Sequence, residues 1–296
     1  MRLASGMIMP DNHIASSAGS RSWVKADLSQ SELDIIESIR SSPNSLLLIP
    51  PKYSEMELFV PDIPNEGVHI GLFSSGTTGQ PRCMWVSREK LLFNAKITAQ
   101  QLGIHSSHRI LILASPWHIA GISWALMAIQ EGISFDIHTP YVTFIPDFVA
   151  KLSGNSYSHL FTTPFLFRHL AKFNDWSTDE IVCGGSPLTI EDRPLFYKHT
   201  RFITSAYGQT EAGGIISAYR SESYCWDKPG CIGTPADNIR IRCNGTPDLS
   251  GPIYIHSPSA VCEGWLDTGD YGYKDADDLL YITHRKKDPV NNATEK

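Results

Sequence analysis

Residues 73 to 82 read FSSGTTGQPR, in which Ser74, Ser75, Thr77 and Thr78 share a short span with Gly76 and Gly79, and Pro81 and Arg82 close it. Where side chains are this small, backbone amides can close on the oxygens of an anion such as a triphosphate. Arg82 supplies a cation for outer-phosphate charge. The stretch has neither the Gly-Lys-Ser/Thr ending of a Walker A loop nor the GxGxxG dinucleotide fingerprint. A Gly/Ser/Thr surface loop has the same composition, so this stretch alone leaves both readings open.

Four further stretches carry groups useful at a phosphate or acid site. PWHIAG (116–121) sets His118 beside Trp117 at a Gly-containing helix start, where a partly buried structural histidine would also fit. SAYGQTE (205–211) follows Tyr207 with polar groups that a core would not accept. DTGD (267–270) presents Asp270 in what also reads as a tight turn. THRKKD (283–288) presents Arg285 near the end of the chain.

Other chemistries are excluded or unsupported. No GxSxG elbow supplies a hydrolase nucleophile, and His105 and His108 lack HExxH spacing and read as solvated loop residues. Six cysteines, at 83, 183, 225, 231, 243 and 262, form no CxxC pair, which predicts free thiols and a reducing, cytoplasmic compartment. A net charge of −6 gives no electrostatic case for nucleic acid or anionic membrane, and no apolar run approaches a membrane span. The expected partner is a small molecule or a protein.

Positioning these groups requires a regular scaffold, and from residue 69 the pattern is regular. Short apolar strands (HIGLF, RILILAS, SFDIHT, HLFTTP, DEIVCGG, RFITSAY) alternate with helical segments such as REKLLFNAKITAQQL and AGISWALMAIQEG. That alternation predicts an α/β fold with a mainly parallel sheet covered by helices on both faces, and ligands at the carboxyl ends of its strands. After about residue 214, IISAY, NIRIRCN, GPIYIHS and LLYITH predict a small β-rich subdomain, with DADD (275–278) as a hairpin turn. The expected division is a Ser-rich arm and short α/β cover (1–68), an α/β core (69–214), a β-rich subdomain (215–288) and a tail (289–296). In the cover, LDIIESIR predicts a helix buried through Leu33, Ile36 and Ile39, capped by Ser29 or Ser31.

Taken in order, the five stretches resemble those of the adenylate-forming superfamily, which includes acyl- and aryl-CoA synthetases, luciferases and peptide-synthetase adenylation domains. The likeness covers residues 69 to 288. It implies that Ser74, Ser75, Gly76, Thr77, Thr78 and Gly79 cradle the phosphates of ATP, with Arg82 standing where the family usually has Lys. It implies an acid pocket made by Trp117, His118, Gly121 and Ile122, completed by Gly185 of CGGSPL, Gly213 of EAGGI and Ser205. Tyr207 would lie against the adenine, with Gly184 and Gly208 beside the nucleotide. Thr210 would hold the adenylate phosphate and Glu211 would ligate Mg²⁺. Asp270 and Arg285 would meet the ribose, and Lys287 would be the hinge, approached through His284 where the family has Gly.

The chemistry asked of such a site matches these groups. A carboxylate becomes a good acyl donor once it attacks the α-phosphorus of ATP and acquires AMP as leaving group. The charge that develops on phosphate oxygens calls for amide donors, a cation and Mg²⁺. The resemblance therefore implies ATP-dependent formation of an acyl-adenylate, with pyrophosphate released and the acyl group passed to CoA or to the phosphopantetheine thiol of a carrier protein. Residues 116 to 131 hold no acidic residue before Glu131, where amino-acid-activating relatives place an Asp. An aryl or medium acyl acid without an α-amine is expected.

The family usually continues past the hinge into a smaller, Lys-bearing domain that swings over the site, whereas eight residues follow Asp288 here. The expectation is the large N-terminal domain alone, with the closing domain cut away, supplied by a separate chain or lost. The alternative from another class is a non-catalytic module that binds nucleotide or acyl-adenylate, a reading suggested by Arg82 and His284.

Overall fold

In a computed structural model, residues 14–16, 23–56, 58–64, 66–74 and 81–286 are described. The chain begins with β1 (Ile14–Ser16), β2 (Trp23–Lys25), α1 (Glu32–Ser41), β3 (Ser45–Leu47), β4 (Leu58–Val60) and β5 (His69–Ser74). β6 (Arg82–Ser87) turns back antiparallel on β5, and β2-β3-β5-β6 form a four-stranded sheet, while β1 pairs with β4. Residues 23–25, expected within the loose arm, are therefore a paired strand. β6 was not expected at all, since RCMWVS lacks clean alternation and precedes a helix directly.

The next segment follows the expected alternation. It runs α2 (Arg88–Leu102), β7 (Arg109–Leu113), α3 (Ile119–Gln130), β8 (Ser134–His138), α4 (Ile145–Gly154), β9 (His159–Thr162), α5 (Pro164–Leu170), β10 (Thr178–Gly184), α6 (Arg193–His199) and β11 (Thr200–Gln209). Strands β8, β7, β9, β10 and β11 lie side by side in parallel. RILIL shows why this sheet is covered on both faces. Ile110 and Ile112 join one core cluster with Trp124 and Phe161, and Leu111 and Leu113 join another with Phe167 and Phe196. Four apolar residues in a row are what a strand buried on both sides requires.

The β-rich segment comprises β12 (Gly214–Glu222), β13 (Cys231–Pro235), β14 (Arg240–Cys243), β15 (Gly251–His256), β16 (Leu266–Lys274) and β17 (Leu280–Arg285). β12 pairs antiparallel with β11, so these strands continue the parallel set into one eleven-stranded ladder of order β14-β15-β16-β17-β13-β12-β11-β10-β9-β7-β8. DTGD is not a free turn. It lies inside β16, where Gly269 takes a positive φ of 71° within the strand. The DADD turn falls where expected: Asp278 N–H donates to the Asp275 carbonyl at 3.1 Å, and Asp275 Oδ1 accepts from the amides of Asp277 and Leu279.

Helix α1 is capped by Ser31, whose hydroxyl oxygen accepts from Asp34 N–H, while Ser29 is engaged with Asp27. Ile35, Ile36 and Ile39 are its buried residues, and Leu33 is exposed. Ile36 and Ile39 are buried as expected, and Ile35 takes the inward place expected of Leu33.

β10 carries a buried carboxylate, Glu180, which accepts from Thr204 Oγ1 and from Arg220 Nε at 2.6 Å and sits 3.7 Å from His159 Nε2. Burial pushes its pKa up, but the hydrogen bonds from His159, Thr204 and Arg220 outweigh burial and hold it below the usual glutamate value of 4.5. A depressed carboxyl pKa contributes stability that is present above 4.5 and lost as pH falls below it. Glu180→Gln is therefore expected to flatten the fall in melting temperature on acidification below that pH. An acid limb as steep as that of the parent protein would refute the assignment.

Candidate active site

Strands β10 and β11 end at a cavity of about 250 Å³. Gly185, Ser205, Tyr207 and Gly208 line it from that side, and Asp270, Thr283, His284 and Arg285 line it from the β16–β17 hairpin. Two distant parts of the chain thus meet across the carboxyl ends of the parallel set, which is where an open α/β sheet binds ligands.

Local packing explains the placement of Tyr207. The β11–β12 register shifts between Tyr207 and Gly208, a bulge of the kind that re-aims a side chain. Gly208 is required there, because an added Cβ would lie 2.3 Å from the Gly214 carbonyl oxygen. The opposing strand is pinned by Asn94 of α2. Its Nδ2 donates to the Ile215 carbonyl at 2.9 Å, and its Oδ1 accepts from Ile215 N–H at 3.1 Å. Asn94 is fully buried, and nothing in the sequence reading singled it out. The available signal was a lone amide side chain flanked by the buried positions Leu91, Ala95 and Thr98 of one helix.

Tyr207 OH donates to Asp270 Oδ2 at 2.6 Å, and Arg285 Nε lies 3.7 Å from Asp270 Oδ1. Asp270 and Arg285 are direct register partners in β16 and β17. Burial first, and then the Asp270 carboxylate, raise the Tyr207 pKa far above the usual tyrosine value, so the phenol keeps its proton and remains the donor. Asp270 is buried, yet only one of its side-chain oxygens accepts a hydrogen bond from a described side chain. A carboxylate has about four acceptor positions. Capacity is left over on a carboxylate that lines the cavity.

The phosphate-loop candidates divide. Ser75, Gly76, Thr77, Thr78 and Gly79 lie outside the described residues, as does Lys287. Ser74 ends β5 and Arg82 begins β6 directly opposite it, so the intervening stretch starts and finishes at one paired strand end. Arg82 is exposed and makes no ion pair among the described residues. β6 packs against the turn Thr210–Ala212, which brings Arg82's strand next to Thr210 and Glu211. Glu211 is half-buried, and its carboxylate has no hydrogen-bond or ion-pair partner among the described residues. Gly213 ends the turn at φ 77°, where a Cβ would meet the Ser259 carbonyl oxygen at 2.4 Å.

The acid-pocket candidates are distributed differently. His118 is the N-terminal boundary residue of α3 and is half-buried, and burial followed by the Lys52 charge lowers its pKa. Trp117 and Ile122 are buried in the core cluster under α3, and Gly121 is jammed against the Ser115 carbonyl. These residues shape the floor on which α3 rests and do not line the cavity described above. Gly184 lies one residue behind the wall, with its notional Cβ 3.2 Å from the Ala206 carbonyl oxygen. A wider, more polar crevice of about 720 Å³ lies elsewhere, between Leu152 and Lys198, and includes none of the sequence-identified groups.

Fold and cleft together define an α/β domain with a cavity at the carboxyl ends of its parallel strands. The chain belongs to the AMP-binding enzyme family, which it matches over residues 19–265. It is 25% identical over 257 residues to a 2-succinylbenzoate–CoA ligase of Bacillus licheniformis, a match covering 78% of this chain and 53% of that protein. It is 22% identical over 266 residues to a feruloyl-CoA synthase of an Amycolatopsis species, covering 79% and 53%. Its fold is that of O-succinylbenzoate coenzyme A synthetase from Bacillus subtilis, solved with ATP and magnesium ion. The TM-score is 0.67 at 21% identity, over 90% of this chain and 64% of that one. The chain thus spans about half the length of the curated relatives it matches. No described helix is long and apolar enough to cross a membrane.

Proposed function

We propose that this domain activates a carboxylic acid with ATP, forming an acyl-adenylate and releasing pyrophosphate, for transfer to CoA or to a carrier-protein phosphopantetheine thiol. The observation that carries the proposal is the Tyr207–Asp270–Arg285 cluster on the cavity wall. A buried carboxylate with spare acceptor positions, fixed by a protonated phenol, is suited to the two hydroxyls of a ribose. In this reading Tyr207, Gly208 and Gly184 flank the adenine, and Asp270 and Arg285 take the ribose. Ser74 to Gly79 receive the outer phosphates with Arg82.

Glu211 fits a magnesium ion. It offers a hard oxygen donor with no competing partner among the described residues, and Mg²⁺ is commonly held by one or two carboxylates plus phosphate oxygens. When bound, the ion would neutralise phosphate charge. Thr210, beside it, donates its hydroxyl to the adenylate phosphate, and His118, held neutral by its buried setting, faces the acid. Ser205, Gly185 and Gly213 keep the strand ends bare enough for the acid to approach. The names of the relatives support an aryl or acyl substrate joined to CoA. Six free cysteines support a cytoplasmic setting, and a Lys-bearing closing domain, in this chain's own continuation or in a partner, would complete the thiol-transfer step.

Pyrophosphate exchange with a panel of aryl and acyl acids tests the proposal. Exchange is expected with an acid that lacks an α-amine. No exchange with any acid, together with no ATP binding by calorimetry, would overturn it.

A further inference from the structure

The turn Thr210–Ala212 is too short to hold its own shape. It makes one internal bond, from Gly213 N–H to the Thr210 carbonyl at 3.0 Å, and its other two carbonyls need partners from elsewhere. Both partners come from the segment 257–261, between β15 and β16. Val261 N–H donates to the Glu211 carbonyl at 2.8 Å, and Ser259 Oγ donates to the Ala212 carbonyl at 2.8 Å. The backbone of Glu211 and of the residue after it is thus fastened, while the Glu211 carboxylate keeps no partner among the described residues.

The fastening is itself braced. Ser259 is fully buried and Ser257 nearly so. A hydroxyl carries one proton, and that of Ser259 goes to Ala212, so in the 2.8 Å contact between the two serines Ser257 Oγ is the donor. Ser257 Oγ in turn accepts from Ser259 N–H at 3.2 Å. Asn94 Nδ2 approaches Ser259 Oγ at 3.4 Å from α2. One turn earlier on that helix, Lys90 Nζ donates to the Ala260 carbonyl at 2.6 Å. The same segment runs on into β16, which carries Asp270. One clamp therefore sets the Glu211 turn against the strand that carries the candidate ribose carboxylate.

We infer that Ser259 is a positioning residue for the phosphate end of the site: its hydroxyl, oriented by Ser257 and by the backbone that Lys90 holds, fixes where Thr210 and Glu211 stand, and it touches no ligand itself. Residues that hold a metal ligand in place tune the affinity for the ion as well as the ligand's orientation. The consequence is confined to the metal-dependent part of nucleotide binding. This rests on the reading of Glu211 as the magnesium ligand.

The test is calorimetric titration with adenosine, and with ATP in magnesium and in EDTA. The quantity read is the magnesium gain, the ratio of the ATP Kd in EDTA to that in magnesium. Ser259→Ala is expected to lower the gain roughly tenfold and to leave adenosine affinity as in the parent protein. Lys90→Met, which keeps the apolar stem, should lower it by less. Ser259→Cys, which keeps a similar volume and a weak donor, should fall between Ser259→Ala and the parent, and it takes the place of the Ala variant if melting curves show that one to be unfolded. A merely structural serine would lower the melting temperature without moving the gain, or weaken adenosine and ATP alike, and either result overturns the inference. Glu211→Gln is the control on the reading beneath it. A parent protein with no gain, or a Glu211→Gln variant with the parent's gain, overturns the magnesium reading and the inference with it. Loss of the gain in Glu211→Gln with a parent-like gain in the Ser259 variant overturns the inference alone.

Discussion

Asp270→Ala is expected to weaken ATP binding by about 1 to 3 kcal/mol, roughly 5- to 150-fold in Kd. The carboxylate lies on the cavity wall with Tyr207 OH at 2.6 Å and Arg285 Nε at 3.7 Å. Its removal deprives the ribose hydroxyls of their acceptor and leaves the Tyr207 phenol, already largely buried, without its partner. Arg285, more exposed, turns to solvent at little cost. Two further variants divide the effect. Asp270→Asn keeps one acceptor oxygen and should lose less. Tyr207→Phe keeps the carboxylate but frees its orientation, for about 0.5 to 1.5 kcal/mol. Calorimetric titration with ATP, alongside a melting curve for each variant, reads all three. An Asp270→Ala affinity equal to that of the parent would take Asp270 out of the site.

What the sequence made legible follows from the range of the forces involved. The strands of the parallel set were readable because each is buried on both faces and so carries a continuous apolar run, as in RILIL, while the intervening helices keep a separate period. The mixed character of the sheet was less so. β6 and β16 are each paired antiparallel with a neighbouring strand. Their polar and glycine residues, RCMWVS and LDTGDYGYK, hold strand geometry through ladder hydrogen bonds and not through an apolar pattern. Site residues followed the same rule. Tyr207, Asp270 and Arg285 come from stretches some 60 residues apart, yet they meet because β11 and the β16–β17 hairpin belong to one ladder. Trp117 and Ile122 look like pocket residues in a local reading, but α3 turns them into the core. Local spacing gives the side of a helix on which a residue lies. It does not say whether that side meets a cavity or another helix.

Asn94→Ala is expected to cost about 2 to 6 kcal/mol of stability, because two buried backbone groups of Ile215 lose their partners at about 1 to 3 kcal/mol each. Asn94 is fully buried, and its amide serves as a surrogate strand, donating to and accepting from the same residue. The position admits no close substitute. Gly214, at φ 140°, passes so near that a Cβ there would lie 2.1 Å from Asn94 Oδ1, and Thr98 Oγ1 donates to that same oxygen at 3.3 Å. Asn94→Leu separates the causes, since it fills the volume but can form neither bond, and it should recover little of the loss. A second consequence reaches the cavity. Ile215 is the register partner of Gly208 at the bulge that directs Tyr207, so nucleotide affinity should fall even at temperatures where the variant remains folded. Urea unfolding read by tryptophan fluorescence gives the stability change, and ATP titration well below the unfolding midpoint gives the affinity change. An unchanged midpoint would mean that the Ile215 backbone finds other partners. An unchanged affinity with a lowered midpoint would mean that the bulge is set by Gly208 alone.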